Sequence, residues 1–424
     1  MRHLIAALFA LFPLAAADEL RIAREARALA DFERVQRAVQ PNLADANTCI
    51  QSQASLLPIT APADLSTINY RKGYCTLAGA AVSGDAPGFA AAAADFDKAI
   101  QNWSARVAAA KKGPAEPLPS GLRVLGAIAT LRAGGDQAAL DKARYALLAA
   151  QSSAQCVSAL MDTGFCDGVL RTGRQWLGWL ELQRGEIYNA VRDLAAAAPS
   201  GWTPMAAGRK AFQEGDFATA AKQYRLAVDA WEARRNASVI TLLERLGPTD
   251  ALIAGYVDLG SALLLSGDPK GAVESFSRGL KQEPSNARAL FLRARAREVA
   301  GQPTEALTDY NLASRSAFAA SQDLASGEAH LYRGILLYHR KDYSRAEDEF
   351  ASALNFEIPR AFRGDASAWR HMAAVAAGSC GVARFSLEYS LANVSPYFPK
   401  EEARVRSAGC SASSSLAPPL KPAN

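Results

Sequence analysis

From Ile253 to Asn286 the chain reads IAGYVDLGSALLLSGDPKGAVESFSRGLKQEPSN. Tyr256 and Leu263 stand at the i, i+7 spacing that places two side chains on one face of a helix. Gly267 follows where that helix would have to end and reverse, because glycine adopts positive φ without steric cost. Pro284 would stop a second helix, since proline lacks the amide hydrogen that an interior turn needs. The stretch therefore predicts two antiparallel helices joined by a tight turn.

The same pattern recurs at a 34-residue step. Its positions in the following unit are Leu290, Ala294, Gly301, Ala306, Tyr310 and Ala313. Further copies surround Gly178, Gly208 and Gly334, so that five units run from about Arg171 to Phe356. This pattern resembles the tetratricopeptide repeat family. The resemblance implies an all-α fold, a right-handed α-solenoid of stacked antiparallel helix pairs, in which at least about three units are needed for stability.

The ends of the chain differ in composition from its middle. Residues 1–17 are expected to be a secretory signal peptide, because a basic residue precedes an apolar run that ends on small residues. A retained membrane anchor is the alternative, but the run is shorter than the roughly 20 residues that a spanning helix needs. Residues 18–170 are predicted to form degenerate helical hairpins, and residues 171–400 the repeat array. Residues 401–424 are predicted to be a partly disordered tail.

This organisation, with an alanine-rich composition, predicts a protein of the bacterial envelope. The mature chain would be periplasmic or secreted, with no transmembrane segment left after cleavage and no cysteine for lipid attachment at the cleavage point. The net charge of +5 is small, and both signs are interspersed, so a nucleic-acid partner is not expected.

Six cysteines in an exported chain predict three disulfide bonds, because such bonds persist in oxidising compartments. We favour the pairing of sequence neighbours: Cys49 with Cys75, Cys156 with Cys166, and Cys380 with Cys410. Each bridge would cross-link adjacent helices or close a loop in a fold that lacks one shared core. A zinc site is the alternative for these residues, but their spacing fits no zinc knuckle, and neither a metal nor a cofactor is expected.

In the resembling family, peptides lie in a concave groove lined by the first helix of each pair. Four positions of each repeat tend to face it: the second, fifth, ninth and twelfth. Carried over to this sequence, they give the candidate protein-binding residues Trp202, Met205, Arg209, Phe212, Val257, Arg288, Phe291, Arg295 and Tyr338. Aromatic side chains and arginine are enriched at interface centres. The alternative is that these side chains pack on the next repeat and that the arginines between residues 288 and 297 form a solvated face.

Motifs for catalysis are scarce. No phosphate-binding loop, dinucleotide fingerprint or nucleophile elbow occurs in the sequence. Asp162-Thr163-Gly164 spells the triplet of aspartic proteases, but it occurs once and lies between predicted helices. His330 and His339 lack the i, i+4 spacing of a helical metal pair. We therefore predict that the protein is not an enzyme, with a ligand site near Asp162 or Asp167 as the alternative.

The function predicted from these patterns is that of a non-catalytic scaffold of the bacterial envelope. It would bind a protein or peptide segment through the concave face of the solenoid, and it could also self-assemble. The alternative is a structural spacer or accessory subunit of an envelope export or outer-membrane assembly, in which the groove stays empty.

Overall fold

The computed structural model describes residues 2–62, 64–109, 119–152, 156, 161–356 and 359–383. Over these residues the regular secondary structure is helical, without a β-strand, which confirms the all-α fold class. No helix in this described part is long and apolar enough to cross a membrane.

Eighteen α-helices and one short 3₁₀ helix, Leu57–Ile59, make up the described chain. In chain order the α-helices are α1 Arg2–Arg37, α2 Leu43–Leu56, α3 Leu65–Ser83, α4 Ala86–Ala109, α5 Ser120–Ala133, α6 Gln137–Ser152, α7 Thr163–Gln183, α8 Ile187–Ala195, α9 Trp202–Gln213, α10 Phe217–Arg235, α11 Leu242–Leu246, α12 Leu252–Leu265, α13 Pro269–Gln282, α14 Ala287–Val299, α15 Pro303–Ala319, α16 Asp323–His339, α17 Tyr343–Leu354 and α18 Arg360–Ala377.

The chain divides into two compact units. Unit 1 comprises Met1–Lys210 and Asp229–Asp250, and unit 2 comprises Ala211–Val228 and Ala251–Asn424. Each unit contains antiparallel helix pairs in which consecutive helices pack on each other. The part boundaries derived from the sequence remain predictions.

In unit 2 the pairs α12–α13, α14–α15 and α16–α17 follow the repeat. The turn inside each pair has one residue with positive φ, namely Gly267 at 88°, Gly301 at 76° and Lys341 at 64°. The first two are 34 residues apart, whereas Lys341 comes six residues later than that step. The extra residues lengthen two consecutive helices: α15, the second helix of one pair, and α16, the first helix of the next. Each has 17 residues. The turn geometry is thus kept even where a lysine replaces the glycine.

Within a pair, the two helices approach closely at a glycine. A Cβ atom added at Gly260 would lie 2.6 Å from Cε1 of Phe276, and one added at Gly334 would lie 2.6 Å from Cε1 of Phe350. Both phenylalanine rings are fully buried. The glycine of the first helix therefore makes room for the ring of the second helix, and this contact sets how far apart the two helices lie.

Gly260→Ala should destabilise unit 2 because the new methyl group would overlap the Phe276 ring. Such overpacking costs about 1–3 kcal/mol, so thermal unfolding followed by circular dichroism should show a lower Tm. Gly381→Ala is the matched control, since a Cβ there meets nothing within 4 Å. Equal Tm values for the two variants would contradict the packing described here.

Unit 1 contains the pairs α1–α2, α3–α4, α5–α6 and α7–α8, and one apolar core cluster joins residues of α1 to α7 and of α11. Cys49 of α2 is disulfide-bonded to Cys75 of α3, and Cys156 is bonded to Cys166 of α7. The structure thus contains two of the three favoured pairs. The third, Cys380 with Cys410, includes a residue that lies outside the described part of the chain.

The repeat step lengthens between Asp229 and Asp250. There α10 continues to Arg235, and the extra helix α11 follows. Gly247 ends α11. Helix α11 packs against α3 and α7.

Candidate protein-binding groove

The first helices of the unit 2 pairs, α12, α14 and α16, are neighbours in space. Each starts or ends with a local signal that fixes its position. The Asn286 side chain caps α14 by accepting a hydrogen bond from the amide of Ala289 at 2.9 Å. On the side away from the proposed groove, α13 packs against α12 through Phe276, and α17 packs against α16 through Phe350. The predicted groove positions of unit 2 therefore lie on adjacent, rigidly held helices.

Phe291 is the centre of an aromatic and basic cluster on α14 and α16. Its ring centroid lies 5.4 Å from that of Tyr332 and 5.7 Å from that of Tyr310, both in edge-on geometry. The guanidinium carbon of Arg295 lies 4.6 Å from the Tyr332 centroid, and that of Arg288 lies 5.9 Å from the Phe291 centroid. We call Arg288, Phe291, Arg295 and Tyr332 the aromatic-arginine cluster.

Tyr332 was missed by the sequence analysis because it occupies none of the four positions expected to face the groove. It comes directly after Leu331, which does occupy one of them and is buried. The sequence contained one sign of its role, namely an aromatic residue directly after a groove position. Leu292 occupies the equivalent position in the preceding repeat.

The side chain of Arg295 is held in place from below. It forms an ion pair with Glu298, and Glu298 also accepts a hydrogen bond from the Tyr310 hydroxyl at 2.8 Å. Burial raises the pKa of Glu298, while the charge of Arg295 lowers it. Because Arg295 is fixed before any partner arrives, binding at this side chain would lose little conformational entropy.

Arg288, by contrast, is exposed and forms no ion pair with any residue that the structure describes. Its charge lowers the pKa of Glu328 on α16, although burial has the larger effect and raises that pKa. Arg288 is therefore the cluster's available cation.

The other predicted groove residues have different surroundings. Val257 is half-buried and packs, as Phe291 does, against the core cluster that contains Leu280 and Leu290. Tyr338 is buried, with its ring centroid 5.4 Å from that of Trp369. Phe212 is half-buried, and its ring contacts that of Phe217 at 5.2 Å. Val257 thus extends the floor of the groove, whereas Tyr338 stabilises the packing of α16 on α18.

Three predicted groove residues belong to unit 1. Trp202 and Met205 are buried, and the Trp202 ring lies 5.1 Å from that of Trp231 and 6.5 Å from that of Trp179. These two side chains are core and present no surface to a partner, because the indole cluster encloses the start of α9. Arg209 is partly exposed.

The arginines of α14 divide into two kinds. Arg293 and Arg297 both contact the buried carboxylate of Asp309 on α15, at 2.7 Å each. They neutralise a charge that would otherwise be costly to bury. Arg288 and Arg295 belong to the aromatic-arginine cluster. The interpretation of all four arginines as one solvated face is therefore wrong for the pair that holds Asp309.

Asp309→Ala should lower the stability of unit 2 by about 3 kcal/mol or more, because two partly buried guanidinium groups would lose their counter-ion. Urea unfolding of the purified variant would measure this. Arg288→Ala should leave the midpoint unchanged. If both variants unfold at the same urea concentration as wild type, the ion pairs of Arg293 and Arg297 with Asp309 do not contribute to the stability of unit 2.

His330 joins three helices through polar contacts. Its Nε2 lies 2.7 Å from Oγ of Ser314 on α15, and its Nδ1 lies 2.8 Å from Oε2 of Glu349 on α17. The order is that of a nucleophile, base and acid. Ser314, however, is buried within α15, where the helix uses the backbone amides that an oxyanion site would need. The contacts of His330 are those of a strut between helices.

Asp162 has a structural role as the N-cap of α7, where it accepts a hydrogen bond from the amide of Phe165 at 3.0 Å. In the described part of the chain, no three histidine, cysteine, aspartate or glutamate side chains come together in a way that could hold a metal ion.

Two carboxyl groups meet inside unit 1. Glu181 on α7 is buried, shares a hydrogen bond with Asp193 on α8, and leaves its Oε2 without a partner. Burial, with the added charge of Asp193, raises the pKa of Glu181 to about 7. Near neutral pH, Glu181 therefore holds a proton that it would lose in the unfolded chain.

Between the ordinary glutamate pKa and about 7, the folded state binds more protons at Glu181 than the unfolded state, so stability falls as pH rises through this range. Glu181→Gln removes the ionisable group while keeping a hydrogen-bond donor. Its Tm should exceed that of wild type by roughly 2–4 °C at pH 8, and the difference should close at pH 4.5. A pH-independent difference between the two proteins would rule out this proton.

The antiparallel pairs, the 34-residue step and the neighbouring first helices define a helical-repeat protein. Residues 257–321, from α12 to the turn after α15, match the family model for the tetratricopeptide repeat. Over this part of the chain, the predicted resemblance to the tetratricopeptide repeat is confirmed. No curated protein matches the chain.

Solved structures with similar helical arrangements have low sequence identity to this chain. A tetratricopeptide repeat protein from Parabacteroides merdae is 13% identical, covers 68% of this chain and 98% of its own, and has a TM-score of 0.39. Yeast Tom70 is 13% identical, covers 86% and 85%, and has a TM-score of 0.37. The apo form of RapI is 9% identical, covers 81% and 96%, and has a TM-score of 0.45. At these values, none of them assigns a partner to this chain.

Proposed function

We propose that this protein is an interaction scaffold of the bacterial envelope and that a partner segment binds to the aromatic-arginine cluster of unit 2. The observation that carries the proposal is the position of Arg288, Phe291 and Arg295 on one helix of a tetratricopeptide repeat, beside Tyr332 of the next. Tyrosine, phenylalanine and arginine in such a cluster are the residue types that dominate binding energy at protein interfaces.

The apolar floor and rim determine what kind of segment fits. Val257 and Phe291 form the floor, and Leu265 and Val299, at the same place in two successive units, are 55% and 63% exposed. A partner that covers these side chains would remove apolar surface from water. We propose an extended segment with apolar side chains for the floor and an acidic one for Arg288, recognised by surface complementarity alone.

The envelope location is part of the proposal. It is supported by the signal-type sequence at residues 1–17 and by the two disulfide bonds of unit 1, which are bonds typical of exported proteins. A spacer function is the second candidate, and it is favoured by apolar exposure outside the groove. Phe318 is 68% exposed and Leu324 is 45% exposed at the turn between α15 and α16.

Site-specific photo-crosslinking in cells separates these two functions. A photoreactive phenylalanine derivative at position 291 should capture a protein partner, and the same derivative at position 318 should not. A peptide from the captured region should then bind the purified chain, and Phe291→Ala should weaken it at least tenfold. The matched control is Phe318→Ser, which should bind as wild type.

Capture at position 318 alone would favour the spacer function, and a peptide that binds Phe291→Ala as tightly as wild type would refute the groove. Circular dichroism of both variants ensures that the comparison concerns folded protein.

A further inference from the structure

The inner side of the first helices is open in unit 2 but closed in unit 1. Val124, Ile128 and Leu131 of α5 precede the turn glycine Gly134 by the same intervals that separate Phe291, Arg295 and Glu298 from Gly301. All three are buried, and they share one core cluster with Leu242 and Leu246 of α11. Helix α11 packs against α3 and α7, the first helices of the pairs that precede and follow α5 in the chain, so the chain's own inserted helix covers this side of unit 1.

Helix α11 contacts the groove through leucines. Leu242 and Leu246 are buried, and Leu243 lies so close to Gly168 of α7 that a Cβ there would be 2.5 Å from its Cδ1. Glycine at position 168 thus creates the pocket that receives Leu243. These three side chains stand at i, i+1 and i+4 of a single helical turn, the spacing by which a short amphipathic helix presents one apolar face.

One main-chain contact fixes the register of α11. The indole Nε1–H of Trp176 on α7 donates to the carbonyl oxygen of Leu246 at 2.7 Å. Two polar contacts hold the residues that follow α11: Arg132 of α5 donates to the Thr249 hydroxyl at 3.2 Å, and Arg234 pairs with Asp250 at 2.8 Å. Arg234 also donates to the carbonyl of Glu244.

The inserted helix has the features of a bound peptide rather than of a repeat helix. It has five residues, far fewer than an isolated helix needs for stability, so its helical form depends on the groove. Its N-terminus carries a capping box between Thr241 and Glu244, and Asn236–Val239, in the connection to α10, are exposed.

We propose that residues 236–250 are an internal ligand and that the groove between α3 and α7 is a second protein-binding site. Its partner in trans is a segment that presents three leucines at i, i+1 and i+4 on one helical turn. The inserted segment blocks this site until it leaves. The site lies in unit 1 and does not depend on the aromatic-arginine cluster of unit 2.

A labelled peptide with the sequence of residues 236–250 tests the proposal by fluorescence anisotropy. The full-length double variant Leu242→Ser, Leu246→Ser weakens the internal ligand, so it should bind the peptide with a Kd in the micromolar range. Wild type should bind at least tenfold more weakly, because its groove is filled. A peptide with all three leucines changed to serine is the control and should not bind to either protein.

Two further changes in the double variant locate the bound peptide. Trp176→Phe keeps an aromatic ring but loses the indole N–H that donates to the peptide carbonyl, and should weaken binding about threefold to tenfold. Gly168→Ala fills the Leu243 pocket and should weaken it by at least as much. Phe291→Ala should leave the affinity of the double variant for the 236–250 peptide unchanged. This separates the site in unit 1 from the proposed groove of unit 2.

The proposal would be overturned if the folded double variant did not bind the peptide, or if wild type bound it with the same Kd as the double variant. Dimers of wild type that exchange the segment, detected by size exclusion, would identify a second copy as the occupant and overturn the partner in trans. If the double variant does not fold, hydrogen exchange of wild type decides. The amides of Arg245 and Gly247 should open more easily than those of α7, and exchange only by global unfolding would make α11 part of the core.

Discussion

The contact of a buried phenylalanine with a facing glycine is the interaction on which the array depends. Phe276 and Phe350 fill the space that Gly260 and Gly334 leave open, and this keeps the two helices of a pair at close packing distance. A single pair cannot cover both of its apolar sides, so pairs must stack. Stacking in turn brings the first helices side by side, and the groove is a consequence of this arrangement rather than a separate design.

Stacking also divides side chains of one type between structure and recognition. Arg293 and Arg297 form ion pairs with the buried Asp309 of the second helix, so they are not available to a partner. Arg288 and Arg295, on the same helix, lie against aromatic rings instead. A spacing of one residue rotates a side chain by about a quarter turn or more around the helix axis. The same residue type can therefore hold the repeat together or face a partner.

The features that distinguish this chain from a regular array of repeats lie where the repeat pattern is interrupted. The six extra residues before Lys341 lengthen α15 and α16 and leave Phe318 exposed at their turn. The insertion before Asp250 supplies α11, whose leucines enter the core of unit 1. A regular repeat builds the scaffold, while an irregular segment is free to occupy or extend a surface. The two units consequently present different inner faces.

The sequence by itself determined the helical class, the 34-residue step and the turn positions, because these follow from local spacing and from glycine's freedom at positive φ. It also identified Phe291 and Arg295 as neighbours on one helix face. Only the tertiary structure decided that Trp202 and Met205 are buried, that Tyr332 joins the cluster, and that α11 packs against α3 and α7. These outcomes depend on contacts between residues far apart in the chain, such as Trp176 with Leu246, and no local pattern encodes which distant side chain will cover a given face.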